Sequence, residues 1–377
     1  MNKWTFPTQI YAGPDSLNRL TEFNNESILI ICDPFLKDSP SLTYVIGLMD
    51  SKNKVTIYTD VVPDPPITHV VKGIEFMEGI KPSVIIAIGG GSCIDMSKGI
   101  AYFGRKLKHM DIKSFIAVPT TSGTGSEVTS FAVLTDSETQ IKYPLVDDAV
   151  LPDEALLTPL FVKTSPPSVT AFSGMDVLVH ALEAYVATAA NNFTDALAQQ
   201  AIELVFEYLP RCHKPTATEQ DRMSMHEASC LAGLSFNKAG LGIVHAMAHQ
   251  LGGQFHVPHG LANSMLLPYV IGFNCSHNPA VAKKYAHLSA KLGFAGYNAS
   301  EVDKLAALIE AIVTLQHTLD CPMNLTAFGV DKAVSETKLD LMADRALEDM
   351  CYRFNPCLLY TSPSPRDYAA SRMPSSA

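Results

Sequence analysis

The sequence lacks the features of several large protein classes. No apolar run approaches the ~18 residues that cross a bilayer, and the N-terminal segment has no apolar signal-peptide core. Lys and Arg form no cluster and the net charge is −10, which argues against a nucleic-acid partner. The 8 cysteines include no CxxC pair, so we expect free thiols in a reducing cytoplasm.

The length and the pattern predict two domains. The chain has 377 residues, 47% hydrophobic and 18% charged, an ordinary globular composition that is long for a single core. In the first half, short apolar runs alternate with helical periodicity, as in a doubly wound sheet, and predict strands over residues 27–33, 54–60, 84–88 and 115–118. Strand signals stop near residue 158. We therefore predict an α/β Rossmann-like domain over residues 1–164 and an all-α domain over residues 165–356.

Four side chains in the second half have the chemistry of a metal site. Asp176 and His180 are four residues apart in a segment without a helix breaker, so both project from one helix face. His245 lies in a second predicted helix, and His259 in a loop expected beyond a Gly-Gly pair. Three imidazoles and one carboxylate suit a borderline divalent ion such as Fe(II), Zn or Mn.

A histidine in an apolar helix is more often a packed residue than a metal ligand, and this alternative applies to each imidazole. Here, however, four histidines fall within 15 residues, and burying several imidazoles among apolar side chains is costly unless each is paired or coordinated. Spacing does not by itself choose the ligands, because His249 and His256 lie in the same stretch.

Two glycine-rich segments that follow predicted strands suit the phosphates of a dinucleotide. Gly89-Gly90-Gly91-Ser92 lies where a strand meets a helix, whose N-terminal N–H groups and dipole attract phosphate. It does not match GxGxxG, and a tight turn is the alternative. The loop at residues 120–126 adds hydroxyl donors and two glycines at the next strand end.

Three polar residues near these loops have less specific signals. Asp33, at the end of a predicted strand, suits the hydroxyls of an adenosine ribose and would repel a 2′-phosphate, which favours NAD over NADP; a turn or cap role is the alternative. Asp95 would bind the ribose or position the loop. Lys142 would neutralise phosphate, although the sequence alone favours a solvated surface lysine.

Four motifs together resemble the iron-dependent (group III) alcohol dehydrogenase family: GGGSCIDMSK, PTTSGTGSEVT, GMDVLVHALEAY and GIVHAMAHQLGGQFHVPHGLANSMLLP. The resemblance covers residues 4–356. It implies a Rossmann-like domain, a helical domain and an active site between them, the architecture shared with dehydroquinate synthase. It also implies metal ligation by Asp176, His180, His245 and His259, and proton transfer involving His249. The implied cofactor contacts are Asp33, Gly89, Gly90, Gly91, Ser92, Asp95, Thr120, Thr121, Thr124, Phe131 and Lys142.

The resemblance further implies the reaction and the partners. The expected activity is NAD(H)- and Fe(II)-dependent interconversion of a short primary alcohol and its aldehyde, with Zn as the alternative metal and a homodimer as the expected assembly. Phe236 and Cys351 are expected to line the substrate pocket, with ordinary packing as the alternative. Within the family, the sequence more specifically resembles the propanol dehydrogenases of the propanediol-utilisation microcompartment. The rival interpretations are a glycerol-type dehydrogenase, a related metal–NAD lyase and a truncated non-catalytic protein.

The last 21 residues do not fit the rest of the pattern. Helical periodicity ends before Asn355-Pro356, and residues 357–377 are patternless and rich in Ser and Pro. A disordered tail is one interpretation. We prefer another: CLLYTSPSPRD and SRMPSSA are the translations of two parts of a transposase sequencing adapter, separated by an index. On this hypothesis the natural sequence after Pro356, where the family continues with a short helix, is missing.

Overall fold

The computed structural model describes residues 4–137, 142–163 and 165–357, except for the side chain of Lys142. Within these ranges the chain forms eight strands and fourteen α-helices. The strands are β1 (Gln9–Ala12), β2 (Ser27–Cys32), β3 (Lys54–Tyr58), β4 (Val84–Gly89), β5 (Ser114–Pro119), β6 (Phe131–Thr135), β7 (Lys142–Val146) and β8 (Glu154–Leu157).

The helices of the first half are α1 (Pro40–Leu48), α2 (Ile67–Ile80), α3 (Gly91–Lys108) and α4 (Pro159–Val162). Those of the second half are α5 (Pro167–Val186), α6 (Asn192–Cys212), α7 (Glu219–Ala239), α8 (Ile243–Phe255), α9 (His259–His277), α10 (Pro279–Lys291), α11 (Glu301–Thr318), α12 (Leu325–Phe328), α13 (Lys332–Glu336) and α14 (Leu339–Glu348). A 3₁₀ turn follows over Met350–Phe354.

Six parallel strands form the main sheet, in the order β1-β8-β5-β4-β2-β3. The chain runs from β2 outward to β3 and then returns to place β4 on the other side of β2, so the strand order reverses between β2 and β4. Parallel α/β sheets bind ligands at such a switch point, outside the carboxyl ends of the strands. Those ends are in register here, with Cys32 opposite Ile88 and Gly89 opposite Pro119.

Apolar side chains cover both faces of this sheet, because parallel strands alternate their side chains between two buried layers. On one face, Ile85, Ala87 and Phe115 pack with residues of α2 and α3. On the other, Ile30, Ile86 and other side chains pack with residues of α1 and of a 3₁₀ turn near the N-terminus. The predicted doubly wound sheet is confirmed, and four of its strands match the predicted ones.

Four strands were not predicted from the sequence: β1, β8 and the antiparallel hairpin of β6 and β7. β1 and β8 have four residues each, too few for the hydrophobic periodicity to identify a strand. The predicted loop position of His259 is wrong. Helix α8 continues through both glycines to Phe255, and His256 ends it with a left-handed φ of 54°. Helix α9 then begins at His259. No helix in the described ranges is both long and apolar enough to cross a membrane.

The chain divides into two compact units. The first extends to Ser165 and also contains Thr218–Leu234. The second contains Pro166–Ala217 and continues from Ser235. The segment Thr218–Leu234 is therefore part of the unit that holds the sheet, although it lies within the predicted all-α domain of residues 165–356.

Candidate metal centre and cofactor loops

The second unit brings the four predicted metal ligands together. Asp176 and His180 lie on α5, His245 on α8 and His259 at the start of α9. One ligand atom of each lies within 4.8 Å of the others. Asp176 Oδ1 is 3.8 Å from His245 Nε2 and 3.7 Å from His259 Nε2. This separation suits a single ion with bonds of about 2.0–2.2 Å to nitrogen and oxygen.

A glycine allows α9 to approach α5 this closely. A Cβ on Gly260 would lie 2.0 Å from the carbonyl oxygen of Phe172 and 3.1 Å from the Cβ of Asp176. Only the absence of a side chain permits that backbone contact. The glycine thus sets the distance between His259, its neighbour in sequence, and Asp176.

The amide of Asn263 lies among the ligand atoms. Its Nδ2 is 2.6 Å from Asp176 Oδ1, 3.1 Å from His245 Nε2 and 3.2 Å from His259 Nε2. An amide nitrogen has two hydrogens for these three acceptors, and the buried Oδ1 of the same amide has no hydrogen-bond partner. Lone pairs of three ligands therefore converge on one region, which is the arrangement that a divalent cation satisfies.

Glu183, two turns beyond Asp176 on α5, fixes one ligand. Its Oε2 lies 2.5 Å from His245 Nδ1, and its Oε1 accepts the backbone N–H of Val244 at 2.7 Å. Burial raises the pKa of Glu183 to about 8, against the lowering by the backbone N–H groups of Val244, Gly242 and His245. Burial and the neighbouring imidazoles lower the pKa of His245. A cation bound at His245 Nε2 would favour the ionised form of Glu183, and the carboxylate would then accept a hydrogen bond from Nδ1–H of the neutral ring.

His249 lies one turn after His245 on α8 and beside the ligands, not among them. Its ring stacks on that of His259 with centroids 5.4 Å apart. Its Nδ1 is 2.8 Å from Asp349 Oδ2. The expected proton-transfer residue therefore borders the expected metal position.

The two predicted pocket residues also lie near this cluster. Phe236 stacks on His180, with ring centroids 4.5 Å apart. The backbone N–H of Cys351 donates to Asp349 Oδ1 at 2.8 Å, and burial raises the pKa of the Cys351 thiol. Phe236 therefore has a packing role, Cys351 has a backbone hydrogen-bonding role, and a substrate contact stays a prediction for both.

The first unit holds the predicted phosphate-binding segments at the switch point of the sheet. α3 begins at Gly91, and the preceding Gly90 donates its N–H to Asp33 Oδ2 at 3.2 Å. A Cβ on Gly89 would lie 2.7 Å from that same oxygen, and one on Gly91 would lie 2.7 Å from Thr124 Cγ2. Glycines therefore let the two loops and Asp33 meet.

Asp95 lies in a buried polar network. It accepts hydrogen bonds from Ser126 Oγ at 2.5 Å and from the backbone N–H of Val133 at 2.9 Å. Lys98, fully buried, donates to Ser126 Oγ and to the carbonyl of Phe131, and burial lowers its pKa to about 8. These contacts fit the alternative in which Asp95 positions the loop. The Lys142 side chain lies outside the described residues.

A Ser–His pair supports the loop at residues 120–126 and was missed from the sequence. Ser122 Oγ lies 2.9 Å from His226 Nδ1, and His226 Nε2 lies 3.2 Å from the carbonyl oxygen of Pro119. Burial lowers the pKa of His226 to about 4, opposed by the bond to that carbonyl. The neutral ring therefore donates to Pro119 and accepts from Ser122, which links the first part of the loop and the residue before it to α7.

Comparisons with known proteins show the family to which the chain belongs. The family described as "Iron-containing alcohol dehydrogenase" matches residues 7–159, and "Fe-containing alcohol dehydrogenase family, C-terminal" matches residues 170–361. The chain is 44% identical to 1-propanol dehydrogenase PduQ of Salmonella typhimurium, over 94% of this chain and 96% of that protein. It is 39% identical to an NADPH-dependent butanol dehydrogenase of Clostridium saccharobutylicum, over 94% of each chain.

Solved structures share the fold. A crystal structure of 1,3-propanediol oxidoreductase matches with a TM-score of 0.87 and 33% identity, over 98% of each chain. Sulfoacetaldehyde reductase from Bifidobacterium kashiwanohense, solved in complex with NAD+, matches with a TM-score of 0.86 and 26% identity, over 99% of this chain and 98% of that one.

Proposed function

The chain belongs to the iron-containing alcohol dehydrogenase family, and from that premise we propose that it interconverts a short primary alcohol and its aldehyde with NAD(H) and Fe(II). The single observation that carries this proposal is the convergence of four ligand atoms, one carboxylate and three imidazoles, within 4.8 Å of one another. Three imidazoles with a carboxylate suit Fe(II), and Zn is the alternative.

The residues of the second unit would have separate roles at the substrate oxygen: metal binding, orientation of one ligand and proton transfer. Asp176, His180, His245 and His259 would hold the ion, which supplies Lewis-acid stabilisation of the alcohol or aldehyde oxygen when bound. An ionised Glu183, 2.5 Å from His245 Nδ1, would keep the ring in the tautomer with an unprotonated Nε2. His249 takes the proton from the alcohol, or returns it to the product of aldehyde reduction, as a general acid and base beside the ligands.

The residues of the first unit would bind the dinucleotide that exchanges hydride with the substrate. Gly89, Gly90, Gly91 and Ser92 offer backbone N–H groups at the start of α3, and Thr120, Thr121 and Thr124 add hydroxyl groups. The Asp33 carboxylate, at the end of β2, accepts ribose hydroxyls and repels a 2′-phosphate. This supports NAD, although one of the relatives is named for NADPH.

Propanal and 1-propanol are the favoured substrate pair. Support comes from the relative named 1-propanol dehydrogenase PduQ and from the sequence motifs of that subgroup. By the same similarity we propose a homodimer in the cytoplasm that associates with a propanediol-utilisation microcompartment. Light scattering of the purified protein tests the dimer, and co-purification with shell proteins from the native cell tests the association.

Anaerobic oxidation of NADH with propanal tests the reaction on the full chain loaded with Fe(II), Zn(II) or a chelator. We expect Fe(II)-dependent turnover that NADPH supports poorly. His245→Ala should lose both metal and activity, whereas Lys52→Ala, an exposed surface change, should keep both. Turnover with glycerol but not propanol would support the glycerol-type alternative. A folded, metal-loaded protein without any turnover would support the non-catalytic one.

A further inference from the structure

The C-terminal end of the described chain contacts α8 at two points. Asn355 is buried, and its Oδ1 accepts the N–H of Ile243 at 3.3 Å, at the first turn of the helix. Asp349 lies against the same helix two turns further on, through His249. The helix that carries both His245 and His249 is therefore held at two points by one short segment, residues 349–355.

Both oxygens of Asp349 have defined donors. Oδ1 accepts the backbone N–H of Cys351 at 2.8 Å, at the start of the 3₁₀ turn, and Oδ2 lies 2.8 Å from His249 Nδ1. Burial raises the pKa of Asp349, but the bonds from His249 and Cys351 more than offset it, so the net shift is downward. An ionised carboxylate only accepts hydrogen bonds, so His249 Nδ1 must carry a proton.

We propose that Asp349 is a positioning residue for the proposed alcohol–aldehyde reaction, since it fixes His249 with hydrogen on Nδ1 and leaves Nε2 as the atom that exchanges the substrate proton. The inference rests on the proposed function for its catalytic consequence, whereas the tautomer itself follows from the contacts. Asp–His pairs of this kind orient the base in other enzymes.

The substitution Asp349→Asn reverses the tautomer without removing the side chain. The N–H of Cys351 points at Oδ1, so the amide must place its carbonyl oxygen there and turn its NH₂ toward His249. An NH₂ donor requires an unprotonated Nδ1 as its acceptor. The proton then moves to Nε2, where the ring no longer accepts a proton from an alcohol.

Kinetics and ring-nitrogen NMR test this prediction on the Fe(II)- or Zn(II)-loaded full chain. Loss of general acid–base action costs about 10²–10⁴-fold, so Asp349→Asn should lower kcat by about 10²-fold or more with little change in the KM for NADH. The same substitution in a His249→Ala background should cause no further loss. Asp344→Asn, on the exposed side of α14, is the matched control.

The NMR arm separates failure of this inference from failure of the proposed function. With ¹⁵N-labelled histidine, His249 is assigned from the resonance lost in His249→Ala, and its protonated nitrogen should be Nδ1 in the wild type and Nε2 in Asp349→Asn. That result supports the positioning role of Asp349 even if no alcohol is turned over. Wild-type kcat in Asp349→Asn, an additive loss in the double variant, or an unchanged tautomer would overturn the inference.

Discussion

Replacement of Glu183 by glutamine should weaken metal binding without unfolding the protein. Glu183 Oε1 is held by the N–H of Val244 at 2.7 Å, so the carbonyl oxygen of the new amide stays there. Its NH₂ must then face His245 Nδ1, which reverses the tautomer of the ring. The hydrogen moves to Nε2, the atom 3.8 Å from Asp176 Oδ1, and Nε2 cannot bind an ion while protonated.

The size of the effect follows from the loss of one correctly oriented ligand. Changes to the partner of a metal-bound histidine typically cost 10–100-fold in metal affinity, which is about 1.4–2.7 kcal/mol. Folding should suffer less, because the Val244 N–H keeps its acceptor and an amide of nearly the same size replaces the buried carboxyl. Glu183→Ala should destabilise the fold by about 1–3 kcal/mol, since it leaves buried donors unpaired.

Competition with a chromophoric chelator, under anaerobic conditions with Fe(II) and in air with Zn(II), measures the affinity. Glu203→Gln is the matched control, because Glu203 pairs with Lys291 on the surface of α6 and touches no ligand. Thermal unfolding of the metal-free proteins establishes that each variant is folded. Wild-type metal affinity in a folded Glu183→Gln protein would refute the assigned tautomer and the role of Glu183.

Three further predictions concern other parts of the chain. Asp33→Asn keeps an acceptor for the Gly90 N–H but removes the charge, so the ratio of kcat/KM for NADPH to that for NADH should rise about 10–100-fold; an unchanged ratio would show that Asp33 does not face the ribose. Gly260→Ala places a Cβ 2.0 Å from a backbone oxygen and should lower the free energy of unfolding by more than about 3 kcal/mol, whereas Gly272→Ala on the same helix meets nothing within 4 Å and should be neutral in urea titrations. The folded pKa of His226 is about 4, below its ordinary 6.5, so its stabilising contribution is present above pH 6.5 and is lost as the pH falls toward 4. His226→Gln should therefore remove about 3 kcal/mol of the decrease in unfolding free energy between these pH values. An equal dependence of the unfolding free energy on pH in the two proteins would contradict this.

The sequence predicted most of what local pattern encodes. Apolar runs located β2 to β5, and the four-residue spacing of Asp176 and His180 placed both on one face of α5. The same argument could have found Glu183, which is seven residues after Asp176 and on the same face, and Asn263, which is four residues after His259. Both were missed because neither a carboxylate nor an amide is unusual in a helix without a contact to explain it.

Long-range contacts carried no such signal. Nothing in the sequence near Asp349 indicates that it lies beside His249, 100 residues earlier, and nothing near His226 indicates Ser122. The start of α9 was also not predicted, because a Gly-Gly pair usually indicates the end of a helix, whereas α8 continues through this pair to Phe255. The adapter hypothesis for residues 357–377 stays a prediction: residues 358–377 lie outside the described part of the chain, and the family match ends at residue 361.

The same arrangement of hydrogen bonds orients two histidines of the candidate centre. His245 and His249 each direct Nδ1 to a carboxylate, Glu183 or Asp349, whose other oxygen accepts a backbone N–H. The backbone N–H fixes which way a substituted amide must turn, and so determines the tautomer of each variant. The two arrangements should support different properties of the centre, metal affinity at His245 and turnover at His249. Glu183→Gln should lower metal affinity, whereas Asp349→Asn should leave the metal bound and lower turnover. If both substitutions released the metal equally, His249 would be a ligand and not a proton carrier, and the division of roles between the two rings would be wrong.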